Sequence, residues 1–358
     1  MLLRRVYRRF YEGLNYRLRG LASGRWAHHC CPISITFLLT EFCNARCVHC
    51  DIWKNRGRTN SPGIEQWKVV LRDLREWLGP IQVTFSGGEA LLVPFTPELV
   101  AYGSSLGLFM ECLTHGYWED QSRMEKLALA SPWRVTVSLD GIGETHSKVR
   151  GRQKFWEKTN ASIETLQKVR RENNLDFVIR LKTVVMSHNL NDVGNVARFA
   201  ANHRDIEVFY QPIEQNYNTP EDPQWFERSE NWPKDIRGAV STINELIMLK
   251  RSGLPIANSY KQMQAMIPYF QDPDSHRVAV QCHQGHEPYL HCAALTNLQI
   301  HSNGDVRACH ATDPIGNITE ASIREIWETR PRVWEVGCCL ERRCTAGEKR
   351  SSRLAVLS

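Results

Sequence analysis

Three cysteines lie within eight residues, in the string CNARCVHC at positions 43–50, directly after the apolar run 33–39. Three thiolates so close together can bind three of the four irons of a cubane iron–sulfur cluster, which leaves the fourth iron without a protein ligand. An open coordination position makes a metal reactive, as it does in catalytic zinc sites. A zinc site is the alternative, but zinc typically takes four ligands from paired C-x-x-C units and fits three unevenly spaced cysteines poorly. The cysteines therefore predict a reactive iron–sulfur site at the end of a strand.

The spacing C-x-x-x-C-x-x-C, with the aromatic residue His49 before the last cysteine, resembles the signature of the radical S-adenosylmethionine (radical SAM) enzymes. The resemblance implies that Cys43, Cys47 and Cys50 hold a [4Fe–4S] cluster whose open iron chelates the amino and carboxylate groups of SAM. One-electron cleavage of SAM then gives a 5′-deoxyadenosyl radical that abstracts hydrogen. A reducing partner such as flavodoxin or ferredoxin would supply the electron.

A glycine pair and an acid follow the second predicted strand. Gly87, Gly88 and Glu89 resemble the G-G-E-P motif with which radical SAM enzymes contact the amino group of SAM, although Ala90 replaces the proline. Glycines let the backbone approach a ligand closely, and a carboxylate accepts hydrogen bonds from an ammonium group. The motif predicts that these three residues bind SAM.

A second SAM-binding motif lies at the end of the fourth predicted strand. Ser138 and Asp140, with Arg150 downstream, resemble the S-x-D-G…R-G pattern of family members that carry a cluster-binding C-terminal extension. The resemblance implies that Ser138 and Asp140 face the ribose of SAM and that Arg150 binds its carboxylate, for which a planar guanidinium is suited. An ordinary Asp-Gly turn is the alternative for Asp140. No role is predicted for His115.

The chain becomes rich in cysteine beyond residue 281. Alternation around Asn303-Gly304 predicts a tight hairpin that brings Cys292 and Cys309 near each other. This region resembles the SPASM and shortened "twitch" extensions, which hold auxiliary iron–sulfur clusters. The resemblance implies one auxiliary [4Fe–4S] cluster, with a four-thiolate zinc site as the alternative. Its ligands would be Cys292, Cys309, Cys339 (or Cys338 instead) and Cys344.

The elements that must position these groups alternate between short apolar runs and amphipathic stretches. Strands are predicted at 33–39, 81–86, 108–114, 135–139, 177–186 and 206–211, with helices between them. Six such units predict an α/β fold, an open partial (β/α)6 barrel of the TIM type with its chemistry at the C-terminal strand ends, plus a small C-terminal cluster-binding extension. The predicted division is a basic amphipathic segment (1–30), the barrel (31–215), a polar loop with bridging helices (216–280), the SPASM- or twitch-like domain (281–345) and a tail (346–358).

The composition of the chain indicates its cellular compartment and the kinds of partner it can bind. Twelve cysteines without a signal peptide argue against a disulfide framework and predict a reducing, cytoplasmic compartment. The net charge of +6 is concentrated in residues 1–20, where six arginines accompany apolar residues at helical spacing. Such a helix can lie on an anionic membrane at its inner face, or dock its apolar side on the barrel with its arginines solvated. The rest of the chain is close to neutral, which argues against nucleic-acid binding.

The motifs identify the cofactors more sharply than the substrate. About thirty residues precede the first strand, too few for a leader-binding module, and Tyr217, Trp225 and Trp232 lie near the predicted mouth. The prediction is hydrogen abstraction from a small molecule (a glycan, an antibiotic-like or a lipid-linked compound), assisted by the auxiliary cluster. Peptide modification and a non-catalytic iron–sulfur or zinc protein are the alternatives. If the reaction is an epimerisation, Cys282 or Cys112 is the predicted hydrogen donor.

Overall fold

The described residues of the computed structural model form a single nine-stranded sheet. The structure describes residues 2–21, 29–55, 61–203, 205–220, 222, 224–273, 295–309 and 313–330. The strands are β1 (Ser34–Thr40), β2 (Gln82–Gly87), β3 (Phe109–Thr114), β4 (Arg134–Ser138), β5 (Val178–Val185), β6 (Ile206–Pro212), β7 (Asn297–Ile300), β8 (Asp305–Arg307) and β9 (Gly316–Asn317). Their order across the sheet is β6-β5-β4-β3-β2-β1-β7-β8-β9.

Helices lie before, between and after the strands, and those between the parallel strands cover one face of the sheet. The helices are α1 (Leu2–Leu21), α2 (Ile64–Leu78), α3 (Thr96–Ser105), α4 (Ser122–Leu129), α5 (Glu144–Arg150), α6 (Phe155–Glu172), α7 (Val193–Ala201), α8 (Trp225–Arg228), α9 (Ile236–Arg251), α10 (Tyr260–Gln271) and α11 (Ile323–Glu328). The sequence did not predict α5, whose seven residues ETHSKVR carry too little apolar periodicity to stand out. No helix in the described ranges is both long and apolar enough to cross a membrane.

Strands β1 to β6 are all parallel, which confirms the partial barrel. The alternation within β5 shows how the barrel is built. Ile179 and Leu181 are fully buried on the helix-covered face, whereas Arg180 and Lys182 occupy the alternate positions and face the barrel interior. Because the strands are parallel, their C-terminal ends meet at one rim, and the cysteine loop leaves the end of β1 at that rim.

The C-terminal region joins the sheet instead of standing apart from it. Strand β7 pairs in parallel with β1, from Ser34 opposite Asn297 to Phe37 opposite Ile300. The predicted hairpin is present, because β7 and β8 are antiparallel and Gly304 adopts a φ of +89° between them. Half-buried Cys309 follows β8.

Candidate active site

A cavity of about 310 Å³ opens at the C-terminal rim of the barrel. It brings together residues that are far apart in the sequence, and eight of the predicted site residues line it: Cys43, Cys47, Cys50, Gly87, Gly88, Glu89, Ser138 and Arg150. Asp140 is fully buried and is not among the lining residues. The sequence motifs therefore converge on one cavity, and Asp140 lies behind its wall.

The end of β2 holds the cysteine loop (residues 41–51) from one side. The backbone N–H of Gly88 donates to the carbonyl of Thr40 at 2.7 Å, and the N–H of Glu89 donates to Phe42 at 2.9 Å. A Cβ on Gly88 would lie 2.2 Å from the carbonyl oxygen of Phe42, and one on Gly87 would lie 2.3 Å from that of Thr40. The glycines are therefore required where β2 passes the backbone of the loop, a contact that the sequence did not predict.

The C-terminus of α5 holds the same loop from the other side. The N–H of Arg46 donates to the carbonyl of Arg150, and that of Val48 donates to Val149, both at 3.0 Å. Gly151 has a φ of +71°, and a Cβ there would lie 2.1 Å from the carbonyl oxygen of Arg46. The Arg150-Gly151 pair thus supports the cysteine loop, and Arg150 also lines the cavity.

The three thiols face the cavity from this clamped loop. Burial raises the pKa of Cys43 to about 12 and that of Cys50 to about 11, and it also raises the pKa of Cys47. Within the described ranges, no three histidine, cysteine or acidic side chains form a group that could hold a metal ion. A cubane cluster spreads its thiolates over separate irons, so the three thiols need not converge on one point.

Arg150 and Asp140 form a buried ion pair at the cavity wall. Nη2 of Arg150 lies 2.6 Å from Oδ2 of Asp140, and Nη1 donates to Sγ of Cys47 at 3.6 Å. Asp140 Oδ1 also accepts the backbone N–H of Val184 at 2.9 Å. Burial alone would raise the pKa of Asp140, but the adjacent Arg150 guanidinium holds it below its ordinary value. Asp140 thereby positions Arg150, while a contact of Asp140 with ribose stays a prediction.

Glu89 is buried at the opposite wall beside His115. Burial raises the pKa of Glu89 to about 7, although its carboxylate accepts backbone N–H groups from His115 at 2.8 Å and from Leu91 at 3.1 Å. Nδ1 of His115 accepts the N–H of Tyr117, so its proton is on Nε2, 2.7 Å from Oδ1 of Asn44. His115, for which no role was predicted, therefore links the end of β3 to the cysteine loop.

Three buried polar atoms belong to cavity-lining residues and are left for a ligand. Nδ1 of His49, Nε1 of Trp53 and Nε of Arg150 have no hydrogen-bond partner among the described residues. Buried polar groups are rarely left unsatisfied, so a cavity lined by such groups is built for a polar ligand. Thiols can bind the irons of a cubane cluster, and a carboxylate and a guanidinium suit the ammonium and carboxylate groups of SAM.

Other residues that line the cavity were not predicted from the sequence. Lys182 on β5 lines the cavity, as do Gln211, Glu214 and Gln215 at the end of β6, and burial lowers the pKa of Lys182. The signal was present, because Arg180 and Lys182 interrupt an otherwise apolar strand at alternate positions and so must share its inner face.

The aromatic loop after β6 divides into two parts. Tyr217 lines the cavity, and its carbonyl accepts the N–H of Asp51 at 3.0 Å. Trp225 and Trp232 are instead buried against each other, with ring centroids 5.5 Å apart, and Trp232 packs on Phe270. These two tryptophans fix the loop in place, and only Tyr217 of the three is at the cavity.

The remaining predicted cysteines do not contribute to this cavity in the described ranges. Cys112 is fully buried in the hydrophobic core on the helix-covered face of β3, and it does not line the cavity. That placement gives no support to Cys112 as a hydrogen donor. The other predicted ligands and the second predicted donor lie outside the described residues: Cys282, Cys292, Cys338, Cys339 and Cys344.

Comparisons with known families agree with the motifs. Residues 37–200 match the model of the radical SAM superfamily, and residues 292–346 match SPASM, an iron–sulfur cluster-binding domain.

Three curated proteins show the range of relatives. The chain is 27% identical over 310 residues to the AdoMet-dependent heme synthase of Methanosarcina barkeri, and the alignment covers 83% of this chain and 82% of that protein. It is 25% identical over 308 residues to the PqqA peptide cyclase of Xanthomonas campestris pv. campestris, covering 83% and 73%. It is 30% identical over 172 residues to the sporulation killing factor maturation protein SkfB of Bacillus subtilis, covering 48% and 40%.

Solved structures share the architecture. SuiB of Streptococcus suis bound to S-adenosylmethionine aligns with a TM-score of 0.63 at 16% identity, over 84% of this chain and 67% of that one. Native anSMEcpe with bound AdoMet aligns with a TM-score of 0.58 at 17% identity, over 85% and 82%. At this identity the likeness concerns the fold alone.

Proposed function

This chain belongs to the radical SAM superfamily and carries a SPASM domain, and we propose that the enzyme modifies a peptide. When bound, a [4Fe–4S] cluster and SAM supply one-electron chemistry that removes a hydrogen atom from a substrate. An auxiliary iron–sulfur cluster belongs to the SPASM domain. This proposal replaces the small-molecule prediction, because its peptide alternative has the better support among the relatives.

The observation that carries the proposal is the length over which one peptide-modifying relative aligns with this chain. The PqqA peptide cyclase of Xanthomonas campestris aligns over 308 residues and 83% of this chain, so the match is not confined to the SAM-binding motifs. SkfB, a maturation protein for a sporulation killing factor, supports the same substrate class over a shorter stretch. We therefore infer a peptide substrate rather than a glycan or a lipid-linked compound.

The groups at the cavity suit an extended peptide. The amide of Gln211 can both donate and accept hydrogen bonds, as peptide backbone groups require. Lys182 and Glu214 add one charge of each sign, and Tyr217 adds an aromatic ring. Such a mixture is typical of a polar site that orients a substrate by a few specific contacts.

The cofactors would occupy the inner part of the cavity. We propose that Cys43, Cys47 and Cys50 hold the cluster and that Glu89 accepts hydrogen bonds from the SAM ammonium. Arg150 would bind the SAM carboxylate through its unpartnered Nε, and Asp140 would hold the guanidinium in position. Ser138 would face the ribose.

A porphyrin is the second candidate substrate. It is favoured by the match to AdoMet-dependent heme synthase, which extends over 310 residues and 83% of this chain. A porphyrin carries carboxylates, for which Lys182 is a suitable partner.

The test is a mass measurement on candidate substrates. Anaerobically reconstituted, reduced enzyme with SAM would be incubated separately with small peptides encoded beside its gene and with iron porphyrins. We expect one peptide to change in mass, together with formation of 5′-deoxyadenosine, and the porphyrins to remain unchanged. A porphyrin that changes in mass while the peptides do not would overturn the proposal in favour of the second candidate.

A further inference from the structure

Helix α1 presents an apolar stripe to solvent. Leu3, Val6, Phe10 and Leu14 are spaced three or four residues apart, so they lie on one face of the helix. Their exposed fractions are 84%, 57%, 69% and 44%, which is unusual for four large apolar side chains in a row. The described part of the chain therefore leaves this stripe uncovered.

Helix α1 docks on the barrel through polar and aromatic groups, with Arg8 on the face opposite the stripe and Tyr7 and Tyr11 along one edge of the stripe. The guanidinium of Arg8 lies 4.8 Å from the ring centroid of Phe109 and 4.4 Å from that of Trp133. The hydroxyl of Tyr7 donates to the carbonyl of Leu78 at 3.0 Å, and that of Tyr11 donates to a backbone carbonyl at 2.6 Å. This is the reverse of an ordinary surface helix, which buries its apolar face.

The charge of α1 indicates what the stripe contacts. Six arginines and one glutamate in the first 21 residues give a net charge of +5, out of +6 for the whole chain. Arg9 and Arg17 are exposed, with Arg17 continuing the line of the stripe from Phe10. Apolar side chains bordered by arginines are the features of a helix that lies in the plane of a bilayer interface and prefers anionic lipid.

We infer that α1 binds the surface of an anionic membrane, with Leu3, Val6, Phe10 and Leu14 inserted among the lipids. A second copy of this chain would also cover an apolar stripe, but a self-complementary interface would bring two sets of arginines together. The charge therefore favours an anionic bilayer as the partner.

The docking contacts of α1 also set the orientation. Leu78 precedes β2, Phe109 begins β3 and Trp133 precedes β4, so α1 lies across the N-terminal ends of the strands. The cavity lies at their C-terminal ends. A protein bound through α1 would hold its active site on the side away from the bilayer, open to substrates in the aqueous phase.

The test is vesicle flotation of the reconstituted full chain. Vesicles of phosphatidylcholine and phosphatidylglycerol in equal amounts would be compared with phosphatidylcholine alone. We expect binding to the anionic vesicles, weakened by high salt, and at least a tenfold loss for the variant F10S/L14S. The variant R9Q/R17Q should lose roughly fivefold in binding per arginine. M248S, on an exposed methionine of α9 outside the stripe, is the matched control and should bind like the wild type.

Three results would overturn the inference. The first is no flotation of the wild type, and the second is equal flotation of F10S/L14S and the wild type. The third is a wild-type dimer that F10S/L14S converts to a monomer, since the stripe would then belong to a second copy. Iron content and 5′-deoxyadenosine formation of each variant in solution would show that it is folded. They also separate this inference from the proposed function, because neither depends on the substrate.

Discussion

Arg150 connects the cysteine loop to the barrel interior more closely than any pattern in the sequence suggested. Its guanidinium contacts both Asp140 and the thiol of Cys47, and its carbonyl accepts a hydrogen bond from the loop at Arg46. A resemblance to the R-G pattern predicted a ligand contact for Arg150. It did not predict that the same residue supports the loop.

Replacing Arg150 by methionine should destabilise the fold strongly. The change leaves Asp140 charged, fully buried and without its ion partner, which typically costs about 3–5 kcal/mol. The measurement is the free energy of unfolding of R150M in urea. The variant D140N/R150M removes the uncompensated charge and should recover part of that loss. Equal stability of R150M and the wild type would show that the ion pair is not important for folding.

The role of a single residue could be predicted from the sequence only where the residues it acts with are close to it in the chain. Glu89 and Ser138 were found because each lies in a short motif at the end of a strand. The roles of His115 and Lys182 depend on residues far away in the sequence. His115 contacts Asn44, 71 residues away, and no pattern within one strand specifies such a pair.

At the scale of elements, the cysteine loop is held between the end of β2 and the end of α5. Where β2 meets the loop, Gly88 makes the closest approach to the loop backbone. Its φ is not in the left-handed region, so glycine is required there only because a side chain has no space. The six barrel strands β1 to β6 could be predicted, because each is an apolar run bounded by turn residues. Helix α5 could not, although its C-terminus completes the clamp.

Substituting Gly88 by alanine should displace the loop and reduce retention of the SAM-binding cluster. The added Cβ would lie 2.2 Å from a backbone carbonyl that cannot move without the loop. Gly63→Ala is the matched control, since that glycine at the start of α2 has open space around its Cβ position and a φ of −70°. Iron per chain after anaerobic reconstitution should fall for G88A by about half and stay unchanged for G63A. Full iron in G88A would mean that the loop tolerates the shift.

At the scale of the whole molecule, the C-terminal region is bound to the barrel by strand pairing and by side-chain contacts. Strand β7 extends the sheet beside β1, and Trp327 on α11 is buried and donates its Nε1–H to the carbonyl of Cys30 at 3.0 Å. The sequence predicted a small C-terminal extension but not its place on the sheet, because a change in composition marks where a region begins but not where it docks. The pairing of β7 with β1 joins residues more than 260 positions apart.

Replacing Trp327 by alanine should therefore destabilise the protein, by about 3–5 kcal/mol for loss of a buried tryptophan. Trp327→Phe is the control, since it keeps most of the packing and loses the hydrogen bond, worth about 1 kcal/mol. The urea midpoint of the reconstituted enzyme would report both changes. A midpoint for W327A that matches the wild type would contradict the docked arrangement.

The central claim is that Cys43, Cys47 and Cys50 together bind the cluster that activates SAM. The most direct measurement is 5′-deoxyadenosine formed from SAM by anaerobically reconstituted, reduced protein, compared among the wild type, C50A and C309A. We predict that the wild type forms 5′-deoxyadenosine and that C50A forms none. C309A should keep part of the activity, because Cys309 lies in the auxiliary region and not in the cysteine loop. Undiminished product from C50A would contradict the assignment of the catalytic cluster.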